Sequence, residues 1–388
     1  PGIVSDSSVE SVLIMTGLCV LMCSLGFALK PRKRILAKLV HAADDKRLFS
    51  AGIFLSSIGL ASVLLLQSIN IQIASNSNWT GPATVIYFFG NLRHVGFAVL
   101  LNLTIRKWNA LNLMGLAFSL MPVLYMVLIA GRRTSTFILF ITIGLTLFYT
   151  KKILPARWLV ILAVAACAYL IPLLGALRGD FWALLLSGQL SEIDFSSGID
   201  RILLSGDVLE LRNAAMSIET VNSTQSFGYG TGLWNDIVFQ YVPGQLVGYE
   251  FKDSLMFDNA LPEDIKSLYG RSFSLGSTPT GMGDSYAEFG FAGCLIFGAI
   301  AYLFRHIWVA STYYTSLYAQ ILYIALISPA LIGVTHGVGI FFQHAVLQSF
   351  CVWGVWKYSH ISHPQLLYSP RLSSASVRPT LAEGTRRT

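Results

Sequence analysis

The chain has 388 residues, of which 54% are hydrophobic and only 12% charged, with a formal net charge of +7. A soluble domain carries roughly a quarter charged residues, so the composition excludes a soluble globular protein and reads as a polytopic membrane protein. Its five cysteines, Cys19, Cys23, Cys167, Cys294 and Cys351, all fall in apolar segments. That placement points to small packing residues rather than a disulfide framework or a metal cluster.

The chain opens at Pro1 rather than methionine, so a trimmed amino terminus with a helix missing upstream is one expectation. Apolar runs near membrane length cover 12–29, 49–73, 83–105, 109–130, 134–150 and 157–177. A polar stretch from Arg178 to Thr280 interrupts them, and three more runs follow at 284–304, 314–334 and 338–357. The expected fold is therefore all-α: a transmembrane helix bundle of nine visible spans with one large ordered loop. The divisions are 1–177 for the first six spans, 178–283 for the loop, 284–357 for the last three and 358–388 for a basic, disordered tail.

Orientation follows from the positive-inside rule. The segment from Lys30 to Arg47 holds seven basic residues, and placing it in the cytoplasm also puts Arg106, Lys107, Lys151, Lys152, Arg157, Arg305, Lys357 and the tail arginines there. The large loop then faces outward. Off the cytoplasmic side remain Arg93, Arg132, Arg133, Arg178, Arg201, Arg212, Lys252, Lys266 and Arg271. Most are arginine, whose planar fork fits phosphate oxygens and stays charged in any environment.

The loop has helical signals of its own. Leu203 to Val221 carries apolar residues at helical spacing. Gly228-Tyr229-Gly230-Thr231-Gly232 is turn-rich, and Leu233 to Tyr241 is apolar enough to dip into the membrane surface before Pro243 ends it. Pro262-Glu263-Asp264 reads as a helix start. The loop is expected to form an ordered cap on the bundle.

Several residues are candidates for chemistry. Arg93 lies about ten residues into an apolar run. It either faces a cavity at mid-bilayer or snorkels from a helix that starts later. Gly131-Arg132-Arg133-Thr134-Ser135 joins guanidinium groups to a helix amino terminus, a ready phosphate site, although interfacial anchoring is the plainer alternative. Arg178 and Arg212 are each readable as solvated or paired surface groups, but they share one side of the membrane with Arg132 and Arg133. Asp284 and Glu288, at the start of the seventh run, are candidate general bases or first-turn acids. His336 is a candidate base or a core hydrogen-bonder, and core packing is preferred for His344. No paired-histidine, Asp-x-Asp, phosphate-loop or dinucleotide motif supports a metal or cofactor.

Three stretches carry a family resemblance: Gly131 to Ser135; Arg212 followed by Phe227-Gly228-Tyr229-Gly230-Thr231 and the run to Pro243; and Ser277-Thr278-Pro279-Thr280-Gly281 leading to Tyr286-Ala287-Glu288-Phe289-Gly290. With the many-helix layout and one large late loop, the chain resembles the bacterial oligosaccharide repeat-unit (O-antigen, Wzy-type) polymerases. The resemblance implies a multi-pass protein of the bacterial inner membrane with its loop in the periplasm. Such enzymes move a growing glycan from its polyprenyl-pyrophosphate carrier onto the sugar of an incoming lipid-linked repeat unit, as part of lipopolysaccharide and cell-envelope biosynthesis. Arg132, Arg133, Arg178, Arg212 and Arg93 would hold the pyrophosphate, and Glu288, Asp284 or His336 would take the acceptor proton. Gly228 and Gly230 would shape the loop backbone. Membrane lipid and a separate chain-length regulator protein are implied partners, with no nucleic acid, metal or cofactor. Two rivals stay open: an O-antigen ligase acting on lipid A–core, and a transporter or flippase of an anionic lipid-linked substrate in which Arg93 lines a pathway.

Overall fold

A computed structural model describes residues 4–68, 86, 89–130, 133–154, 156–162, 165, 209–270, 273 and 278–361. Among them every regular element is helical, apart from an isolated bridge between Ala43 and His360. Long apolar helices are the expected answer to an apolar surrounding, because a helix satisfies its own backbone hydrogen bonds.

The elements in chain order are α1 (Asp6–Ala28), α2 (Lys33–Leu39), α3 (Asp45–Ser68), α4 (Leu92–Arg106), α5 (Ala110–Leu124, continued by a π turn over Tyr125–Ile129) and α6 (Arg133–Lys151). The cap holds α7 (Leu209–Thr224), α8 (Thr231–Tyr241), α9 (Gly244–Val247), α10 (Tyr249–Ser254) and α11 (Leu261–Tyr269). Then come α12 (Thr280–Phe289), a 3-10 turn over Gly290–Gly293, α13 (Cys294–Thr312), α14 (Leu317–His336) and α15 (Val338–Ser359). Local signals place several boundaries. The Asn109 and Ser316 side chains accept from the amides of Asn112 and Ala319, capping α5 and α14. A proline in the first turn starts α11, and Gly270 at φ +66° ends it.

Among the described residues six stretches are long and apolar enough to cross a membrane: Asp6–Ala28, Asp45–Ser68, Ala110–Ile129, Thr280–Thr312, Leu317–His336 and Val338–Ser359. Three of the nine expected runs are not among these six. The run at 83–105 lies partly outside the described residues, with Phe89 and Gly90 also helical, and its later part forms α4, of 15 residues. By itself α4 is roughly 22 Å long at 1.5 Å per residue, and its residues are not left to face lipid. Instead α4 is enclosed by α3, α5, α6, α14 and α15, and every residue from Leu92 to Thr104 is buried. The run at 134–150 forms α6, whose apolar part, Ser135–Lys151, is also below spanning length. The run at 157–177 lies largely outside the described residues.

The seventh expected run is a bent unit rather than one straight helix. Gly290 stands at φ +60°, and a Cβ on Gly293 would overlap the carbonyl of Ser285. The Phe289-Gly290-Phe291-Ala292-Gly293 sequence thus lets the chain turn sharply. That turn leaves α12 against cap helix α7, while α13 packs along α1.

Hydrogen bonds tie the helix ends into two groups. At the basic end, the Ser316 hydroxyl donates to Leu39, the Asp44 amide to Ser359 and the Arg106 guanidinium to Gln320, and Lys107 pairs with Asp45. At the cap end, the Ser5 amide donates to Glu219 of α7, the Tyr286 hydroxyl to Asn222 and the Thr278 hydroxyl to the carbonyl of Thr335.

The α1–α13 contact depends on two facing glycines, since a Cβ on Gly26 would overlap the carbonyl of Gly298. Gly17, on the same helix, has nothing within 4 Å of such an atom. Alanine gains about 1 kcal/mol in helix propensity at either position. Thermal unfolding in detergent should show Gly17→Ala neutral or stabilised and Gly26→Ala destabilised by about 1–3 kcal/mol. Equal behaviour would contradict close packing here.

Candidate functional site

Helix α12 presents Asp284 and Glu288 four residues apart, on one face. Each carboxylate sits at the amino terminus of a different helix. The Gly230 amide donates to Glu288 Oε2 at 2.6 Å, and the Gly232 amide also bonds this carboxylate, so Glu288 caps α8. The Gly339 amide donates to Asp284 Oδ2 at 3.1 Å and the Val338 amide bonds the same group, so Asp284 caps α15. A helix amino terminus carries unsatisfied N–H groups and partial positive charge. It accommodates a carboxylate with no cation needed.

The glycines of the 228–232 segment are required by this arrangement. Its backbone follows α12, with the Gly228 amide donating to Ala287 O at 3.0 Å and the Tyr229 amide to Glu288 O at 2.8 Å. A Cβ on either Gly228 or Gly232 would overlap the Glu288 carboxylate. The third acid, Asp236, comes from α8 and lies so close to α15 that a Cβ on Gly339 would overlap its Oδ2. The Gln343 side chain donates to the Asp236 carbonyl at 2.7 Å, and the Tyr241 hydroxyl donates to Gln343 O, fixing α8 on α15. Burial, and then the charges of Asp284 and Glu288, push Asp236 up to about 7.

These acids line a cavity of about 360 Å³. Asp258 and Asp264 line it too, and His336 contributes an imidazole, with no lysine or arginine among the lining residues. A second cavity, of about 530 Å³, lies among α3, α4, α5, α14 and α15. Its lining has the opposite character: Arg93, His94, His336 and His344, with Gln343 and Gln348, and no aspartate or glutamate. His94 Nδ1 and Gln348 Oε1 are buried there without a hydrogen-bond partner. His336 and Ile340 line both cavities and so mark their junction.

The structure brings together most of the described candidates. Asp284, Glu288, His336 and Gly228 line the carboxylate cavity, and Gly230 bonds Glu288. Arg93 lines the second cavity, as one sequence alternative has it, on a helix that starts late in the run, as the other has it. It is in the first turn of α4, at the cap end, yet only 4% exposed, with Nη1 donating to Gly90 O. Glu288, expected near the start of a span, is the penultimate residue of α12, just before the bend at Gly290. His344, weighted toward core packing, lines the second cavity. Arg212, on α7, lines neither cavity. Arg133 opens α6, and Ser135 of the same motif lines the second cavity. Arg132 and Arg178 lie outside the described residues.

Sequence reasoning missed Asp236, His94 and Gln348. Asp236 had a usable signal, as the one carboxylate inside the apolar run Leu233 to Tyr241. Among the described residues no group of three His, Cys, Asp or Glu side chains forms a metal-binding cluster. Comparison with protein-family models, characterised proteins and solved structures finds no match.

Two outcomes follow from the capping geometry. Gly232→Ala should displace the Glu288 carboxylate and cost about 1–3 kcal/mol, with faster proteolysis of 209–270 as a second readout. Unaltered unfolding and proteolysis would contradict it. Asp236 ionises near 4 when unfolded and near 7 when folded. The folded state therefore holds the extra proton between those values. Stability falls as pH rises from about 4 to about 7 and is level above. Asp236→Asn should remove a decline of up to about 4 kcal/mol across that window. Parallel stability–pH curves for parent and variant would refute the assignment.

Proposed function

We propose that this chain is a membrane glycosyltransferase of the bacterial inner membrane that polymerises polyprenyl-pyrophosphate-linked oligosaccharide repeat units into O-antigen or a related surface polysaccharide. The observation that carries the reading is the junction at His336 of an arginine- and histidine-lined cavity and a carboxylate-lined cavity, at one end of an apolar helical bundle. Transfer from a pyrophosphate donor to a sugar hydroxyl needs those two environments side by side. One must hold phosphate charge, which builds further as the leaving group departs. The other must orient a polyhydroxylated acceptor and receive its proton.

In this reading the helical bundle has its cap in the periplasm. Arg93 holds the donor pyrophosphate in the second cavity, and Arg132, Arg133, Arg178 and Arg212 are further candidates to bind it. The acceptor sugar occupies the carboxylate cavity. An apolar cavity of about 480 Å³ among α1, α13 and α14 favours a lipid-linked substrate over a soluble one.

Deleting the gene and examining surface polysaccharide tests the proposal. Loss of long chains with a single repeat unit still attached is expected. Complete loss of attached glycan would instead indicate a ligase or flippase, and unchanged polysaccharide would sink the glycan reading. In the polymerase outcome, Arg93→Ala should lower polymer yield about 100-fold or more, as expected for loss of a preorganised charge-stabilising donor. The variant's insertion is checked by membrane fractionation, and full-length polymer from an inserted Arg93→Ala protein would remove Arg93 from the pyrophosphate site.

A further inference from the structure

We infer that His336 is the general base of this transfer and that Thr335 is a positioning residue that sets its tautomer, an assignment that rests on the glycosyl-transfer reading above. The geometry at the end of α14 accommodates this tautomer. Thr335 Oγ1 lies 2.7 Å from His336 Nδ1, and the same hydroxyl reaches the carbonyl of Ile332 at 3.2 Å and that of Leu331 at 3.4 Å. A hydroxyl has one proton. We assign that proton to the helix carbonyls, which leaves the oxygen as an acceptor and His336 Nδ1 as the protonated nitrogen. The lone pair is then on Nε2, the atom a base needs. The Thr278 hydroxyl donates to Thr335 O at 2.9 Å and steadies this last turn.

Position separates His336 from the other candidates. The new bond must form where the acceptor oxygen meets the donor's anomeric carbon, hence between the two cavities. His336 lines both and is solvent-exposed, whereas Asp236, Asp284 and Glu288 line only the carboxylate cavity. Asp284 and Glu288 are further committed as caps of α15 and α8.

The step balances without a further reactant. His336 Nε2 takes the proton of the acceptor hydroxyl as its oxygen bonds to the donor's anomeric carbon. The anomeric carbon–oxygen bond to pyrophosphate breaks, and its electron pair leaves with the lipid pyrophosphate. The imidazolium then gives its proton to that leaving group.

The test uses the full-length protein in lipid nanodiscs, with polyprenyl-pyrophosphate-linked repeat units extracted from the deletion strain. His336→Ala should lower kcat by about 100- to 10,000-fold, with KM within about threefold of the parent, and added imidazole should restore kcat at least about tenfold. Thr335→Val should lower kcat about tenfold, and Thr335→Ser should restore it. A histidine or threonine needed only for folding would not respond to imidazole or to the serine hydroxyl. If His336→Ala retains turnover within about threefold of the parent, or imidazole does not restore it, the base assignment is overturned. The same holds if Thr335→Ser fails to recover what Thr335→Val loses. If the parent protein itself elongates nothing, the glycosyl-transfer reading fails and the base assignment with it.

Discussion

Three acidic side chains have to be accommodated in a protein whose sequence is mostly apolar, and the cap is organised around how that is done. Asp284 and Glu288 take backbone amides at two helix amino termini in place of cations. Because the two acids are four residues apart on one short helix, capping α8 and capping α15 become a single geometric condition. The glycines at 228, 232 and 339 follow from it, as side chains at those positions would occupy the space of the acids. The cap is thus placed on the bundle by directional hydrogen bonds as well as by apolar burial, and a cavity with two opposed surfaces is left beside it.

The separation of charge is the main functional consequence. Carboxylates gather where cap and bundle meet, while Arg93 and the histidines gather among α3, α4, α14 and α15. Mixing the two sets would produce internal ion pairs and a neutral interior. Kept apart, they form two compartments of different lining chemistry with one shared imidazole. Such preorganisation suits a reaction that brings an anionic donor and a neutral acceptor to one point.

Much of this was legible in the sequence. Apolar runs located the long helices, proline and paired acids located α11, and the glycine run located the turn before α8. The acidic pair and His336 were visible as polar residues at the margins of apolar runs. Other features were hidden by long-range contact. Nothing local says that α4 begins at Leu92, because its enclosure by five other helices decides its surroundings. Nothing local pairs Gly230 with Glu288 across 58 positions. Asp236 was passed over because it was read with its apolar neighbours as part of a surface-seeking run, although a lone carboxylate there was itself unusual. The bend after α12 is written in Gly290 and Gly293, but an apolar run of that length reads as one straight span until the close approach to Ser285 is seen.

The capping of α8 and α15 also orders the protein's biogenesis. The Gly230 segment emerges from the ribosome long before its acceptor Glu288, and Asp284 in turn waits for the amides of Val338 and Gly339. Gly230 and Gly339 are about 110 residues apart, roughly 5–20 s of synthesis at about 5–20 residues per second. Over that interval the cap has no complete set of partners, and His336 has no finished pair of cavities to join. The end of the molecule that holds both cavities is thus completed only when α15 has been made.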